Sequence, residues 1–287
     1  MKSKIIECPR DAMQGIKEWI PTELKIQYLQ TLLQANFDTL DCVSFVSPKA
    51  IPQLKDSAEV LRNLDLSQTS TKLLAIIANT KGAEQAAQFA DKITYQGFPF
   101  SISEQFQLRN TNKTIQESFA QLIEIQKIVE GAQQKLVVYL SMAFGNPYGE
   151  EWNLDIIKKW VQELANIGIQ IIALSDTIGS ADPHDVYEIF SELIPLYPDI
   201  EFGAHFHSVP DEWRSKIDAA YRAGCRRFDG AWKGYGGCPM AKNDLTGNIA
   251  TENILSYLLK IENYPSLPHD LIKQIDILNQ KVFAYAN

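Results

Sequence analysis

Apolar residues along this chain follow two rhythms. Short runs rich in β-branched and aromatic residues alternate with longer stretches in which apolar positions recur every three or four residues, the signatures of strands and amphipathic helices. The short runs predict strands near 3–9 (SKIIECP), 39–47 (TLDCVSFVS), 72–79 (KLLAIIAN), 92–99 (KITYQGFP), 135–144 (KLVVYLSMAF), 169–177 (IQIIALSDT), 201–208 (EFGAHFHS) and 226–232 (RRFDGAW). Between them lie the helical patterns PTELKIQYLQTLLQAN, GAEQAAQFAD, TIQESFAQLIEIQKIVEG, NLDIIKKWVQELANIG, DPHDVYEIFSELIPLY and DEWRSKIDAAYRAG, and NIATENILSYLLKI follows the last strand. Pro21 precedes the first helix, and Gly168 and Gly224 close two others, as start and stop signals require.

Eight such alternations within about 260 residues predict an α/β fold, a (β/α)8 TIM barrel. A doubly wound open sheet would carry a phosphate loop after strand one, and neither G-x-G-x-x-G nor G-x-x-x-x-G-K-[ST] is present. No Pro/Gly/Ser-rich linker interrupts the pattern. The expectation is one catalytic domain over 1–287, with the barrel at about 3–262 and a closing loop and extra helix over about 263–287.

Composition narrows the function. The 287 residues are 45% hydrophobic and 22% charged, with a net charge of -8. Such an acidic chain is a poor partner for nucleic acid or an anionic membrane, although a local basic patch could hold an anionic ligand. No apolar run is long enough to span a bilayer. The start, MKSKIIECPRD, enters a strand at once, with no leader pattern. Four scattered cysteines (Cys8, Cys42, Cys225, Cys238) suit reduced thiols better than a disulfide framework. The expected compartment is the cytoplasm.

Two of the four histidines, His205 and His207, share one short strand with only Phe206 between them. Alternation puts both imidazoles on one face, where they are either half-buried polar residues or ligands converging on one metal ion. In a TIM barrel the active site lies at the C-terminal ends of the strands, which is where this pair falls. Strand one ends in CPRDAMQG, with Arg10 and Asp11 side by side: a loop ion pair, or a cation ligand beside an oxyanion stabiliser. Asp41 lies inside the apolar run of strand two, where a buried carboxylate needs a partner; a salt bridge to Arg10 and a catalytic role are compatible answers. Asp176, in LSDT after strand six, raises the same question. After strand eight comes GYGGCPMAKNDLTGNIATEN, a glycine loop carrying Cys238. Asn248 precedes the final helix as an N-cap or as an amide aimed at a metal.

Together, PRD after strand one, SFVSPK and PQ after strand two, SDTIG after strand six, HFH in strand seven and GGCP…GNIATE after strand eight resemble the 3-hydroxy-3-methylglutaryl-CoA (HMG-CoA) lyase family, over about residues 4–262. The resemblance implies a TIM barrel, a divalent cation, and cleavage of HMG-CoA to acetyl-CoA and acetoacetate. By it, Asp11, His205, His207 and Asn248 match metal ligands, and Arg10 and Cys238 match catalytic positions. Asp41, Asp176 and His205 are further catalytic candidates. Ser44, Asn110 and Asn112 match polar positions near the ligand. Lys17, Lys49, Arg109 and Lys113 lie just beyond strand ends, as partners for CoA or as solvated surface charges. The family also implies a homodimer. The ligand set favours Mg2+ or Mn2+, with zinc the other choice.

Four places depart from the family pattern. Asp41 stands where the family has Glu, HFHSV replaces HCHDT, CPRDAMQG replaces GPRDGLQN, and FGNPY replaces FGCPY. If the site has closed around the shorter Asp41, it should touch Arg10. If not, the substrate is expected to be another 3-hydroxyacyl-CoA. The rival readings are a condensing synthase, expected to carry a further C-terminal domain, a CoA-independent metal aldolase, which needs no cysteine loop, and a barrel keeping the metal site only as structure or sensor.

Overall fold

The computed structural model describes residues 2–237 and 246–286. Eight strands, β1 (Lys4–Glu7), β2 (Thr39–Ser44), β3 (Lys72–Ile76), β4 (Ile93–Ser101), β5 (Lys135–Ser141), β6 (Ile171–Asp176), β7 (Glu201–Ser208) and β8 (Arg227–Gly230), pair in parallel, each with the next, and β8 pairs with β1. The sheet is closed, so the predicted TIM barrel is the observed fold. The strand expected at 92–99 runs on through Phe100 and Ser101 and is as long as any other.

The helices are α1 (Pro9–Met13), α2 (Thr22–Leu33), α3 (Ser57–Asn63), α4 (Thr80–Ala87), α5 (Glu104–Thr111), α6 (Ile115–Gly131), α7 (Leu154–Asn166), α8 (Pro183–Leu196), α9 (Trp213–Arg222), α10 (Thr251–Glu262) and α11 (His269–Phe283). The larger apolar core lies between the strands and these helices, and a smaller one, including Leu74, Val137, Tyr139 and Ala173, fills the barrel. The expected extra helix is α11, which packs on α2, where Asn279 Nδ2 donates to Tyr28 Oη at 2.9 Å. It also braces the chain after β8: Asp276 accepts from Trp232 Nε1 and Lys233 Nζ, each at 2.8 Å, and Phe283 stacks on Tyr235.

Three short helices and one short strand go beyond the predicted elements. α1 starts on Pro9, whose missing N–H costs nothing at a first helical position. α5 (EQFQLRNT) has too few apolar residues to show a stripe. β9 (Gly247–Asn248) runs antiparallel to β7 and sets Asn248 opposite His207. Asn248 is therefore not a helix N-cap; Ala250 holds that position on α10.

One buried carboxyl ties β1 to the mouth. Glu7 accepts from the Trp232 backbone N–H at 2.8 Å and from the Thr251 hydroxyl. Burial pushes it up to about 8, against the pull of those two hydrogen bonds. Such a group favours the fold fully below about pH 4.5, and that contribution is lost as pH rises toward 8, because only the unfolded chain ionises across that window. Glu7→Gln removes the ionisation. The difference in Tm between variant and wild type is expected to shift in the variant's favour from pH 5 to pH 8 and then level; a pH-independent difference would show that Glu7 does not titrate.

Candidate metal centre and active site

Inward and outward side chains alternate along each barrel strand. On β7 the inward residues are His205 and His207, while Phe206 enters the outer core, edge-on to Phe144 at 5.4 Å and to Phe190 at 6.3 Å. Each such pair adds about 0.5–1.5 kcal/mol beyond area burial. The apolar residue between the two histidines thus fixes the strand parity that keeps both imidazoles at the mouth.

Asp11, on α1, completes the cluster. Its carboxylate and the ring nitrogens of His205 and His207 offer ligand atoms all within 4.8 Å of one another. His207 Nδ1 lies 2.8 Å from the Thr177 carbonyl oxygen, so Nδ1 carries the proton and Nε2 keeps its lone pair. That Nε2 is buried and has no hydrogen-bond partner among the described residues. A lone pair so placed beside a carboxylate and a second imidazole fits a divalent cation. Burial and the neighbouring His205 push His207 below its ordinary range, which favours the neutral, ligating form. Burial also works to raise Asp11, but Arg10, the two imidazoles and Asn248 pull it down. Asn248 Nδ2 donates to Asp11 Oδ2 at 2.7 Å and to the Tyr235 carbonyl at 2.9 Å. A Cβ at Gly236 would lie 2.7 Å from that amide nitrogen, and Gly236 has φ +90°, so only glycine fits there.

Arg10 is the hub of the charged layer. Nε donates to Asp41 Oδ1 at 3.0 Å and Nη2 to Oδ2 at 2.5 Å. Nη1 donates to Asp11 Oδ1 at 3.2 Å and to Gln14 Oε1 at 3.0 Å. Of the five guanidinium N–H groups, one on Nη2 has no partner among the described residues. Asp41 is 1% exposed and reaches Arg10 despite its short side chain; a register irregularity in β2 falls between Asp41 and Val43. Burial pushes Asp41 up to about 6, against the opposing pull of Arg10.

Arg10, Asp11, Gln14, His205 and His207 line a cavity of about 370 Å3 whose apolar wall includes Val46, Ile51, Ile76 and Phe106. A larger groove of about 570 Å3 lies at the other end of the barrel, by Lys4, Glu201 and Arg226. It holds no such cluster of ligating groups.

The structure does not bring every candidate to this cavity. Asp176 pairs in register with Phe206, not with His205, so its side chain turns outward. Its carboxylate accepts from Lys216 Nζ at 2.7 Å and from the Ser180 and Ala181 backbone N–H groups. The same Lys216 donates to the carbonyls of Gly179 and His207. Asp176 thus anchors the loop after β6, and its side chain does not line the cavity. Ser44 is buried, with its hydroxyl accepting from the Val46 N–H. Lys17 is exposed, and Asn110 is exposed on α5 at the cavity rim. Cys238 lies outside the described residues.

Two contributors escape a reading of the sequence. Gln14 donates Nε2–H to Asp11 Oδ1 at 2.7 Å while accepting from Arg10. Its spacing of four from Arg10 would reveal it once α1 is recognised as helical. Asp229 lies 3.2 Å from His205 Nδ1 and alternates with Arg227 inside an apolar strand, a period-two signal that was present. With it, His205 is held above its ordinary range: burial pushes it down, and the hydrogen bond and charge of Asp229 more than offset that.

The HMGL-like family model matches residues 4–277. Hydroxymethylglutaryl-CoA lyase YngG of Bacillus subtilis (strain 168) is 32% identical over 252 residues, covering 88% of this chain and 83% of its own. The mitochondrial hydroxymethylglutaryl-CoA lyase of Mus musculus is 30% identical over 258 residues, 89% of this chain and 78% of its own. The structure of an HMG-CoA lyase from Acinetobacter baumannii, in complex with coenzyme A and 3-methylmalate, superposes with a TM-score of 0.89 at 31% identity, over 99% of this chain and 92% of that one. The carboxyl transferase domain of Rhizobium etli pyruvate carboxylase, at 15% identity and a TM-score of 0.72, shares the barrel alone. A match that runs from β1 into α11, together with relatives similar over most of their own length, means that the chain belongs to the HMGL-like family.

Proposed function

We propose that this protein, as one catalytic domain, is a divalent-cation-dependent lyase that cleaves HMG-CoA to acetyl-CoA and acetoacetate. The observation that carries the reading is the convergence of Asp11, His205 and His207 beside Arg10 on one cavity at the barrel mouth. Asp11, His205, His207 and the Asn248 amide would hold the cation, and two imidazoles with oxygen donors suit Mg2+ or Mn2+. When bound, it supplies Lewis acidity toward the substrate's hydroxyl and carboxylate oxygens.

The chain's own groups supply the rest. Loss of the tertiary hydroxyl proton starts the cleavage, and Asp41, buried and bound through both oxygens to Arg10, serves it as the carboxylate that fixes that guanidinium at the site. Carbon–carbon cleavage leaves a thioester enolate, whose oxygen needs a fixed positive donor. Arg10 provides one through its uncommitted Nη2–H, with Asp41 and Gln14 fixing the guanidinium. The apolar wall excludes water from the enolate, and Cys238 returns a proton to carbon as general acid. Asn110, on the cavity rim, is the candidate placed to meet the CoA portion. The same reading takes the protein as cytoplasmic and, on the resemblance, as a homodimer. No described helix is long and apolar enough to cross a membrane.

Chelation and re-addition test the reading. Turnover of HMG-CoA should vanish on removal of divalent ions and return with Mg2+ or Mn2+. Turnover that survives complete chelation would overturn it.

The cysteines give a second expectation. Cys8, Cys42 and Cys225 are buried, and burial raises all three thiols, Cys225 to about 12. Thiol alkylation should therefore label Cys238 first, inactivate the enzyme, and be slowed by substrate. Full labelling of Cys238 with unchanged turnover would remove it as the acid.

A further inference from the structure

Beneath the metal cluster, the barrel holds a second polar layer that the mechanism above does not use. His205 and Asp229 are register partners on β7 and β8, so both face inward. Asp229 Oδ2 is 3.2 Å from His205 Nδ1, and the carboxylate is 3% exposed. Below it, Arg227 is 1% exposed, with its charge acting on Asp229. Gly203 makes room for Arg227: a Cβ there would stand 3.0 Å from the arginine Cδ. Asp229 Oδ1 and Arg227 Nε and Nη2 have no hydrogen-bond partner among the described residues. The ring of Tyr139 closes the side, edge-on to His205 at 5.3 Å.

We propose that Asp229 is a positioning residue for the metal centre, holding His205 with its proton on Nδ1 so that Nε2 faces Asp11 and His207. An imidazole with one nitrogen bonded to a buried carboxylate has one tautomer and one ring orientation, and its other nitrogen is the more basic ligand. His207 is fixed in the same manner, but by the Thr177 carbonyl. The two ligands thus have unequal supports, one anionic and one neutral. Arg227 sets an opposite charge near the carboxylate in a place where an isolated charge would be costly. The inference rests on the proposed cation site.

The test is Mn2+ binding to the full-length apo-protein, read from the electron paramagnetic resonance signal of free Mn2+. Asp229→Asn, nearly isosteric, is expected to weaken binding by about 10–100-fold, with far-UV circular dichroism unchanged. Asp229→Ser should weaken it at least as much and serves if the first variant folds poorly. Glu201→Gln, which alters the ion pairs of the same barrel with Lys4 and Arg227, should leave Mn2+ affinity near wild type. Wild-type affinity in a folded Asp229→Asn protein, or an equal loss in Glu201→Gln, would overturn the proposal. Failure of the wild-type protein to bind Mn2+ at all would instead overturn the cation site on which it rests.

Discussion

Arg10→Lys is expected to lower kcat on HMG-CoA by about 100–1,000-fold, the usual cost of losing one oxyanion donor, while Mn2+ affinity stays near wild type. Arginine meets Asp41 with two nitrogens and Asp11 and Gln14 with a third, and one further N–H has no partner among the described residues. A lysine ammonium has three donors on one nitrogen and no planar fork. It can keep the buried carboxylates neutralised, so the fold and Asp11 survive, but it cannot bridge them and also meet the enolate. Steady-state kinetics with metal titration separate the cases. Equal loss of turnover and metal affinity would mean that Arg10 acts only by supporting Asp11.

Asp41→Glu is expected to lower activity as well, by about a hundredfold, although it restores the family's residue. The contact expected of a compensated site is present: Asp41 reaches Arg10 with both oxygens and is 1% exposed. An added methylene in so tight a place costs about 1–3 kcal/mol in overpacking. It also displaces the guanidinium, and a misplacement near 1 Å costs about a hundredfold in rate. Kinetics of the two proteins on HMG-CoA decide. A rise in activity would point to another 3-hydroxyacyl-CoA as the natural substrate, and no change would leave Asp41 a bystander.

Much of this was legible in the residues. β-branched runs alternating with amphipathic stretches carry the barrel, because a buried parallel strand and a half-buried helix differ in period. The HFH tripeptide carries the ligand pair, because strand parity is local. What is not local was lost. Asp176 ends β6 and His205 lies near the end of β7, but which faces inward depends on the register between β6 and β7, set by packing across the sheet. Asn248 sits opposite His207 through a two-residue strand too short to leave a pattern. α1 was hidden by its length and its proline, and with it the spacing that brings Gln14 back to Arg10 and Asp11. Asp229 was visible as a charge in an apolar strand, but its meaning needs the β7–β8 pairing.

The measurement that bears most directly on the account is product analysis of the purified protein with HMG-CoA and Mg2+ or Mn2+. Acetyl-CoA and acetoacetate are expected in equal amounts from wild type, and neither from Asp11→Ala or His207→Ala. A metal-loaded, folded protein that leaves HMG-CoA intact, or that forms either product without the other, would contradict it.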